Sequence, residues 1–422
     1  MSSFFEEGVK QMGPGFITGA ADDDPSGIGT YSQAGAFLGY QALWTTVFTL
    51  PFMIAIQEMC ARIGMVTGRG LGGNLRRRYS PSLVAGLIGL LFIANTINIG
   101  ADLGMMVAAA RLLVPLQATT LLFLMTGVTL LLQIFTTYAT YAKYLKLLTL
   151  SLFAYVGVAF VVHVDWMQVW QGTFFPAMKW TPDALMMIVA ILGTTISPYL
   201  YFWQANQEVE EQELFGGNKH AEHPPQHRLF PRAIQHMRAD VIFGMGFSNV
   251  VAWFIMLTGA AVLFRNGIFF VTSADQAAQL LAPLAGKFAS LLFAAGIVGT
   301  GLLALPVLSG SVAYAVSELF HAPEGLSKTW KQARGFYGII MLTTLIGLAM
   351  NFFGINPVRA LVYAALCNAI AAPPLLIAVM FIGNDREFMG KHANGRWSQA
   401  LGWATVVLMS VAVIAWAWVS RS

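Results

Sequence analysis

Long apolar stretches with almost no charge inside them recur along the whole chain, and nothing else limits its fold as tightly. About 20 apolar residues cross a bilayer as a helix. Stretches of that kind fall near 13–36, 42–66, 82–110, 117–136, 144–164, 183–207, 239–264, 285–316, 332–352, 356–382 and 399–420. The expectation is an all-α polytopic membrane protein with eleven transmembrane helices. Composition agrees: 57% of the 422 residues are hydrophobic and 10% charged, whereas a soluble domain carries about 25% charged residues. So few charges cannot cover a water-facing surface of this size. Cys60 and Cys367 both lie in apolar runs, which leaves neither a disulfide scaffold nor a zinc-finger pattern. A dispersed formal charge of +4 gives nucleic acid no footprint.

The loops set an orientation through the positive-inside rule. Placing the N-terminus inside puts loops near 67–81, 137–146, 205–238, 318–334 and 383–397 on the cytoplasmic side. They carry Arg69, Arg76, Arg77, Arg78, Lys143, Lys146, Lys219, Arg228, Arg232, Arg238, Lys328, Lys331, Arg334, Arg386, Lys391 and Arg396. Lys179 and Arg265 are clearly in outside loops. The N-terminus is therefore expected in the cytoplasm and the C-terminus outside. Residues 1–12, with Glu6, Glu7 and Lys10, lack the apolar core and cleavage site of a secretory signal and read as a cytoplasmic tail. At the inner end of the sixth span, Glu208, Glu210, Glu211 and Glu213 form either a solvated helix end or an acidic vestibule that concentrates cations. His220, His223 and His227 follow among prolines and read as a cytoplasmic loop, with weak metal binding as the other reading.

Two spans are interrupted. The first runs through Asp22-Asp23-Asp24-Pro25-Ser26-Gly27, and segments 13–21 and 28–38 are each too short to cross a bilayer alone. Pro in a helix interior removes a backbone bond, and Gly27 and Gly29 weaken helix further. Carboxylates at membrane depth are costly and mark function by default. Carboxylate oxygens with freed carbonyls make a cation site of hard ligands. The sixth span breaks at Gly193-Thr194-Thr195-Ile196-Ser197-Pro198-Tyr199, where each hydroxyl either bonds its own helix backbone or lines a site. Interruptions at corresponding positions of two halves point to a transporter's midplane site.

Gly13-Pro14-Gly15-Phe16, Asp24-Pro25, Arg62-Ile63-Gly64-Met65-Val66-Thr67-Gly68-Arg69-Gly70-Leu71 and Ala101-Asp102-Leu103 together resemble the Nramp family of divalent-metal transporters. The resemblance covers the chain from Gly13 to the eleventh span. It implies the leucine-transporter-type fold with two inverted five-helix repeats, here 13–164 and 183–382, followed by an eleventh helix at 399–420. It also implies a metal between the first and sixth spans, no cofactor and no enzymatic step, in a bacterial inner membrane and as a functional monomer.

Departures from the family pattern carry the finer expectation. The usual Asp-Pro-Gly-Asn is Asp24-Pro25-Ser26-Gly27 here, so the amide ligand becomes Gly27, which offers a carbonyl. The usual Met-Pro-His becomes Ser197-Pro198-Tyr199, the second histidine of that span falls at Gln204, and the acid after Asp102-Leu103 falls near Met105. This altered pattern resembles the Nramp-related magnesium transporter branch. A thioether favours soft ions, and replacing it with a hydroxyl removes that preference. Mg²⁺ keeps several waters around one or two carboxylates. The expected metal set is Asp24 with Asp23, Asp22, Gly27, Thr194, Thr195 and Ser197, carrying Mg²⁺ and Mn²⁺; Asn98, Asp102, Tyr199 and Gln204 are pathway candidates. With no histidine between Gly172 and Lys219, proton coupling is expected to be weak or absent.

Three rivals follow. One is a proton-coupled Mn²⁺ or Fe²⁺ carrier of the ordinary Nramp kind. Another is a sodium-coupled amino-acid carrier, in which three aspartates would repel a substrate carboxylate. The third is an intramembrane enzyme with paired aspartates, for which no nucleophile with a neighbouring base is evident. Outside the breaks, Glu58 is expected to pair with Arg62. Asn95, Thr96 and Asn98 either line the pathway or join helices, and Arg359 is expected to snorkel to the interface.

Overall fold

The computed structural model describes residues 13–136, 150–215 and 231–420, and they are helical almost throughout. Proline opens seven of the main helices, which makes it a start signal here more than a breaker: its fixed φ suits the first helical position, where the missing N–H has no partner to lose. The chain order begins with α1 (Pro14–Asp22), α2 (Pro25–Leu38), α3 (Trp44–Thr67), α4 (Leu71–Arg78), α5 (Pro81–Ala110) and α6 (Ala118–Phe135). It continues with α7 (Phe153–Val161), α8 (Trp166–Phe174), α9 (Pro182–Thr195), α10 (Pro198–Phe215) and α11 (Pro231–Thr258). The last four are α12 (Ala289–Phe320), α13 (Arg334–Met350), α14 (Pro357–Asn384) and α15 (Arg396–Val419). Gly68 closes α3 in the left-handed region at φ 62, the cap that a residue without Cβ adopts most easily.

Nine described helical stretches are long and apolar enough to cross a membrane. The spans expected near 13–36 and 144–164 are not among them. The first is divided into helices of 9 and 14 residues, and the second is described only from residue 150. Two boundaries differ from expectation. The sixth span runs on to Phe215, and the seventh starts at Pro231 instead of near 239. Apolar length sets where a helix meets the interface, but charged residues such as Glu210 and Arg238 continue it beyond. The histidines at 220, 223 and 227 and the residues 1–12 lie outside the described residues.

Burial sorts the helices into inner and outer. In its apolar 18-residue window, Pro182–Glu213 is 89% buried inside the protein, against 22% for the window of Arg396–Val419 and 28% for Ala118–Phe135. The broken α9–α10 pair is therefore central, while α6 and α15 face the outside of the bundle. Around the centre, α9 packs on α2 and α14, and α10 packs on α3 and α12. The other broken pair is held by α11, and this contact is close: a Cβ at Gly19 would lie 2.2 Å from the Gly244 carbonyl oxygen, and one at Gly15 2.7 Å from the Val241 nitrogen. Small residues on both helices allow this approach. Asp240 of α11 caps the start of α1, accepting from the Gly13 N–H at 3.1 Å and the Gly15 N–H at 2.6 Å. A negative charge is favourable at that helix end.

The expected Glu58–Arg62 pair is present. Arg62 donates to both Glu58 oxygens at 3.0 Å and to the His392 carbonyl and the Asn394 side chain, tying α3 to the segment before α15. Asn95 joins helices: its Nδ2 donates to the Leu308 carbonyl and to Ser311 Oγ on α12.

Candidate functional site

The break in the first span is two residues wide, because Asp24 starts a new helix immediately. Its backbone is extended, at φ −68 and ψ 171, and its Oδ1 accepts from the Gly27 N–H at 2.6 Å. That is an N-cap, with Pro25 at the first helical position. Asp24 Oδ1 also accepts from Ser26 Oγ at 2.8 Å. Its Oδ2 accepts from Asn98 Nδ2 of α5 at 3.0 Å and from the Tyr199 hydroxyl of α10 at 3.3 Å. The carboxylate that caps α2 thus meets side chains of α5 and of the second broken pair. The expectation that Gly27 offers a carbonyl is corrected here. Third in its helix, Gly27 turns its N–H toward the break, and its carbonyl points along α2.

Asp22 and Asp23 turn to α11 instead. Ser248 Oγ lies 2.7 Å from Asp22 Oδ2 and 3.3 Å from Asp23 Oδ1. Asp22 Oδ1 and Asp23 Oδ2 are buried and have no hydrogen-bond partner. All three carboxylates are 0% exposed, and among the described residues none has an ion-pair partner. Nor do any three His, Cys, Asp or Glu side chains converge on a common point among the described residues. A fully dehydrated cation held by a cage of carboxylates therefore does not fit; one or two carboxylates with retained water do.

The second break is equally short, with α9 ending at Thr195 and α10 starting at Pro198. Its hydroxyls bond mostly to backbone. Ser197 Oγ lies 2.8 Å from both the Gly193 and Thr194 carbonyls, and Thr195 Oγ1 donates to the Ile191 carbonyl while facing the Tyr31 hydroxyl at 3.2 Å. Thr194 Oγ1 faces Gly27 across the two breaks, 3.5 Å from where a Cβ would stand there. The Ile196 carbonyl freed by the break is taken by the Tyr201 hydroxyl at 2.7 Å. Gln204 lies farther along α10. Its amide bonds to Thr18 Oγ1 at 2.5 Å and donates to Glu208 at 2.8 Å. With Glu208 only 3% exposed, the acidic run is not a solvated helix end at that position.

On α5, Asn98 reaches Asp24 and keeps its Oδ1 without a partner. Asp102, one turn on, is 0% exposed and faces the Ser26 backbone N–H at the start of α2. Seven of the eleven expected residues fall into two groups at the first break, while Thr195, Ser197, Asp102 and Gln204 lie around it. Asp24, Gly27, Asn98, Tyr199 and Thr194 meet around the break, and Asp22 with Asp23 occupies its α11 side. Sequence reasoning missed Ser248, Asp240, Thr18 and Tyr201. An acid and a serine inside an apolar seventh span are the only signals that pointed to the first two.

Comparison with known proteins agrees with this architecture. The profile of the family described as natural resistance-associated macrophage protein-like, Nramp, matches residues 15–419. A "Divalent metal cation transporter MntH" of Pectobacterium carotovorum is 26% identical over 408 residues, covering 94% of this chain and 91% of that one. One of Klebsiella pneumoniae is 27% identical with the same coverage. Among solved structures, a manganese transporter of Eremococcus coleocola superposes with a TM-score of 0.77 at 19% identity, covering 98% of this chain and 87% of that one. Mhp1, a nucleobase-cation-symport-1 family transporter, superposes at 0.62 and 12% identity over 97% and 92%. These likenesses give the leucine-transporter-type fold. With a family match that runs through all the described helices, this chain belongs to the Nramp family.

Proposed function

We propose that this protein carries Mg²⁺ and Mn²⁺ inward across the membrane, bound between the two broken spans, with little or no proton coupling. Divalent metal transport follows from the family, whose members are transporters and not enzymes, and the metal is cargo, not cofactor. One observation supports a cation at the break: three fully buried carboxylates stand there with no ion-pair partner among the described residues. Buried charge of that kind is costly, and a divalent ion entering the break offsets it. Asp24 is the principal ligand in this reading, with Thr194 and the unpartnered oxygens of Asn98, Asp22 and Asp23 directed at the ion or its waters. Ser197 and Thr195 keep lone pairs for the same shell, and Gln204 with Glu208 extends a polar path along α10. Tyr199 holds Asp24 in place, and Asp102 sets the charge of the α5 side.

Selectivity in this reading rests on an oxygen-only set at the breaks: the carboxylates, the Thr194 hydroxyl and the unpartnered Asn98 Oδ1. Such oxygens suit hard ions. The membrane potential supplies the drive, at about 2.3 kcal/mol per charge for each 100 mV. In the same reading the two broken pairs begin inverted repeats at 13–164 and 183–382. The N-terminus is cytoplasmic, the C-terminus outside, the membrane a bacterial inner membrane, and the working unit a monomer. A second reading, proton-coupled Mn²⁺ or Fe²⁺ transport, is favoured by Asp102, a fully buried acid on α5 with no ion-pair partner among the described residues. Proteoliposome uptake separates them: Mg²⁺ at millimolar concentration suppresses Mn²⁺ uptake in the first reading and leaves it untouched in the second.

A further inference from the structure

We propose that the groove between α3, α11 and α15 holds an anionic glycerophospholipid, its phosphodiester at the basic end and an acyl chain along the apolar wall. The groove is open to the surface and measures about 760 Å³. Arg62, Arg238, Lys391 and Arg396 line one end against a single acid, Glu58. Glu58 is already shared, accepting from Arg62 at 3.0 Å and from Arg238 Nε at 2.9 Å. A formal surplus of three positive charges remains. His392 on the same rim feels it: burial, then Lys391, Arg62 and Arg238, hold its imidazole below the ordinary value.

The other end is apolar, walled by Pro51 and Ile54 of α3, Ile242 of α11 and Leu401 of α15. Ile242 is 53% exposed in a segment that crosses the membrane. Eleven residues separate Pro51 from Arg62, about 16 Å along a helix, or roughly half the hydrocarbon thickness. Trp397, 83% exposed, stands beside the basic end, where indole rings settle at headgroup level. A free phosphate would use the basic end and leave the wall unused, and a zwitterionic headgroup would not meet the charge surplus. A negatively charged lipid meets both, as basic pockets between transmembrane helices do. Because Arg62 also anchors His392 and Asn394, an occupied groove braces α3, α11 and the segment before α15 together.

The test is lipid retention by the intact protein, released from nanodiscs of equal phosphatidylcholine and phosphatidylglycerol and read by native mass spectrometry. Lys391 and Arg396 stand outside the hydrogen bonds that anchor Arg62. Lys391→Ala with Arg396→Ala is expected to weaken phosphatidylglycerol retention roughly 30-fold, since each basic group near the surface counts for about fivefold. Lys391→Arg with Arg396→Lys retains it, which separates lost charge from lost fold. Ile242→Glu loses it with the basic end intact. Equal retention by the double alanine variant, equal retention of phosphatidylcholine, or displacement of the lipid by millimolar inorganic phosphate would each overturn the proposal.

Discussion

Gly19→Ala is expected to damage the protein and its transport together, through one displaced helix. The added Cβ would lie 2.2 Å from the Gly244 carbonyl oxygen, 2.4 Å from its carbon and 2.9 Å from its Cα. All three are backbone atoms, so no rotamer change relieves the clash. Carbon–oxygen contacts settle near 3.3–3.6 Å, so α1 and α11 must separate by about 1 Å. Overpacking of this kind costs about 1–3 kcal/mol. The shift falls on the site as well, because Asp22 lies three residues beyond Gly19 and its partner Ser248 four beyond Gly244. Losing a hydrogen bond to a charged group adds about 1.5–3 kcal/mol. Gly127→Ala in α6 is the control: nothing stands within 4 Å of its Cβ, and Ala there gains about 0.5–1 kcal/mol. Thermal unfolding in detergent, followed by tryptophan fluorescence, and metal uptake in proteoliposomes are the assays. Gly19→Ala lowers both melting temperature and uptake, while Gly127→Ala lowers neither. A Gly19→Ala protein as stable and active as the parent would refute the reasoning.

Asp24→Asn keeps an N-cap of equal quality but removes the charge, so calorimetric metal heat and uptake disappear while helicity and melting temperature stay near the parent's. Ser197→Met brings a soft ligand to the break and shifts competition in favour of Mn²⁺ and Cd²⁺ over Mg²⁺; unchanged competition among these ions would count against Ser197 facing the ion. Glu324, in the segment after α12, has its carboxyl raised by burial and then by Glu318. The unfolded chain therefore releases that proton at lower pH, near 4.3 for a free glutamate, and stability falls as pH rises above it. Glu324→Gln removes this loss: its melting temperature exceeds the parent's at neutral and alkaline pH and matches it at acidic pH.

Much of this was legible because the signals are local. Apolar length located most of the described spans, and Asp24-Pro25 with Ser197-Pro198 located both breaks, where a proline follows a short polar residue that can cap or end a helix; Pro51, Pro306, Pro373 and Pro374, which follow apolar residues or another proline, stay inside their helices. The Glu58–Arg62 pair lies one turn apart and reads directly. What was not legible depends on partners far along the chain. Ser248 meets Asp22 across 226 positions and Asp240 caps Gly15 across 225, and nothing in either residue's neighbourhood announces it. The backbone direction at Gly27 was misjudged because treating Pro25 as a break hides that it also begins α2, which turns the N–H and not the carbonyl toward the gap. The acidic run alone leaves Glu208 open between a solvated helix end and a vestibule; its burial against Gln204 comes from packing.

Uptake of Mg²⁺ into proteoliposomes under an imposed inside-negative potential, with internal pH recorded simultaneously, tests the central claim most directly. The account predicts Mg²⁺ entry that Mn²⁺ inhibits, that Asp24→Asn abolishes, and that proceeds without matching acidification. Mn²⁺ entry indifferent to millimolar Mg²⁺, or one accompanied by stoichiometric proton influx, would contradict it.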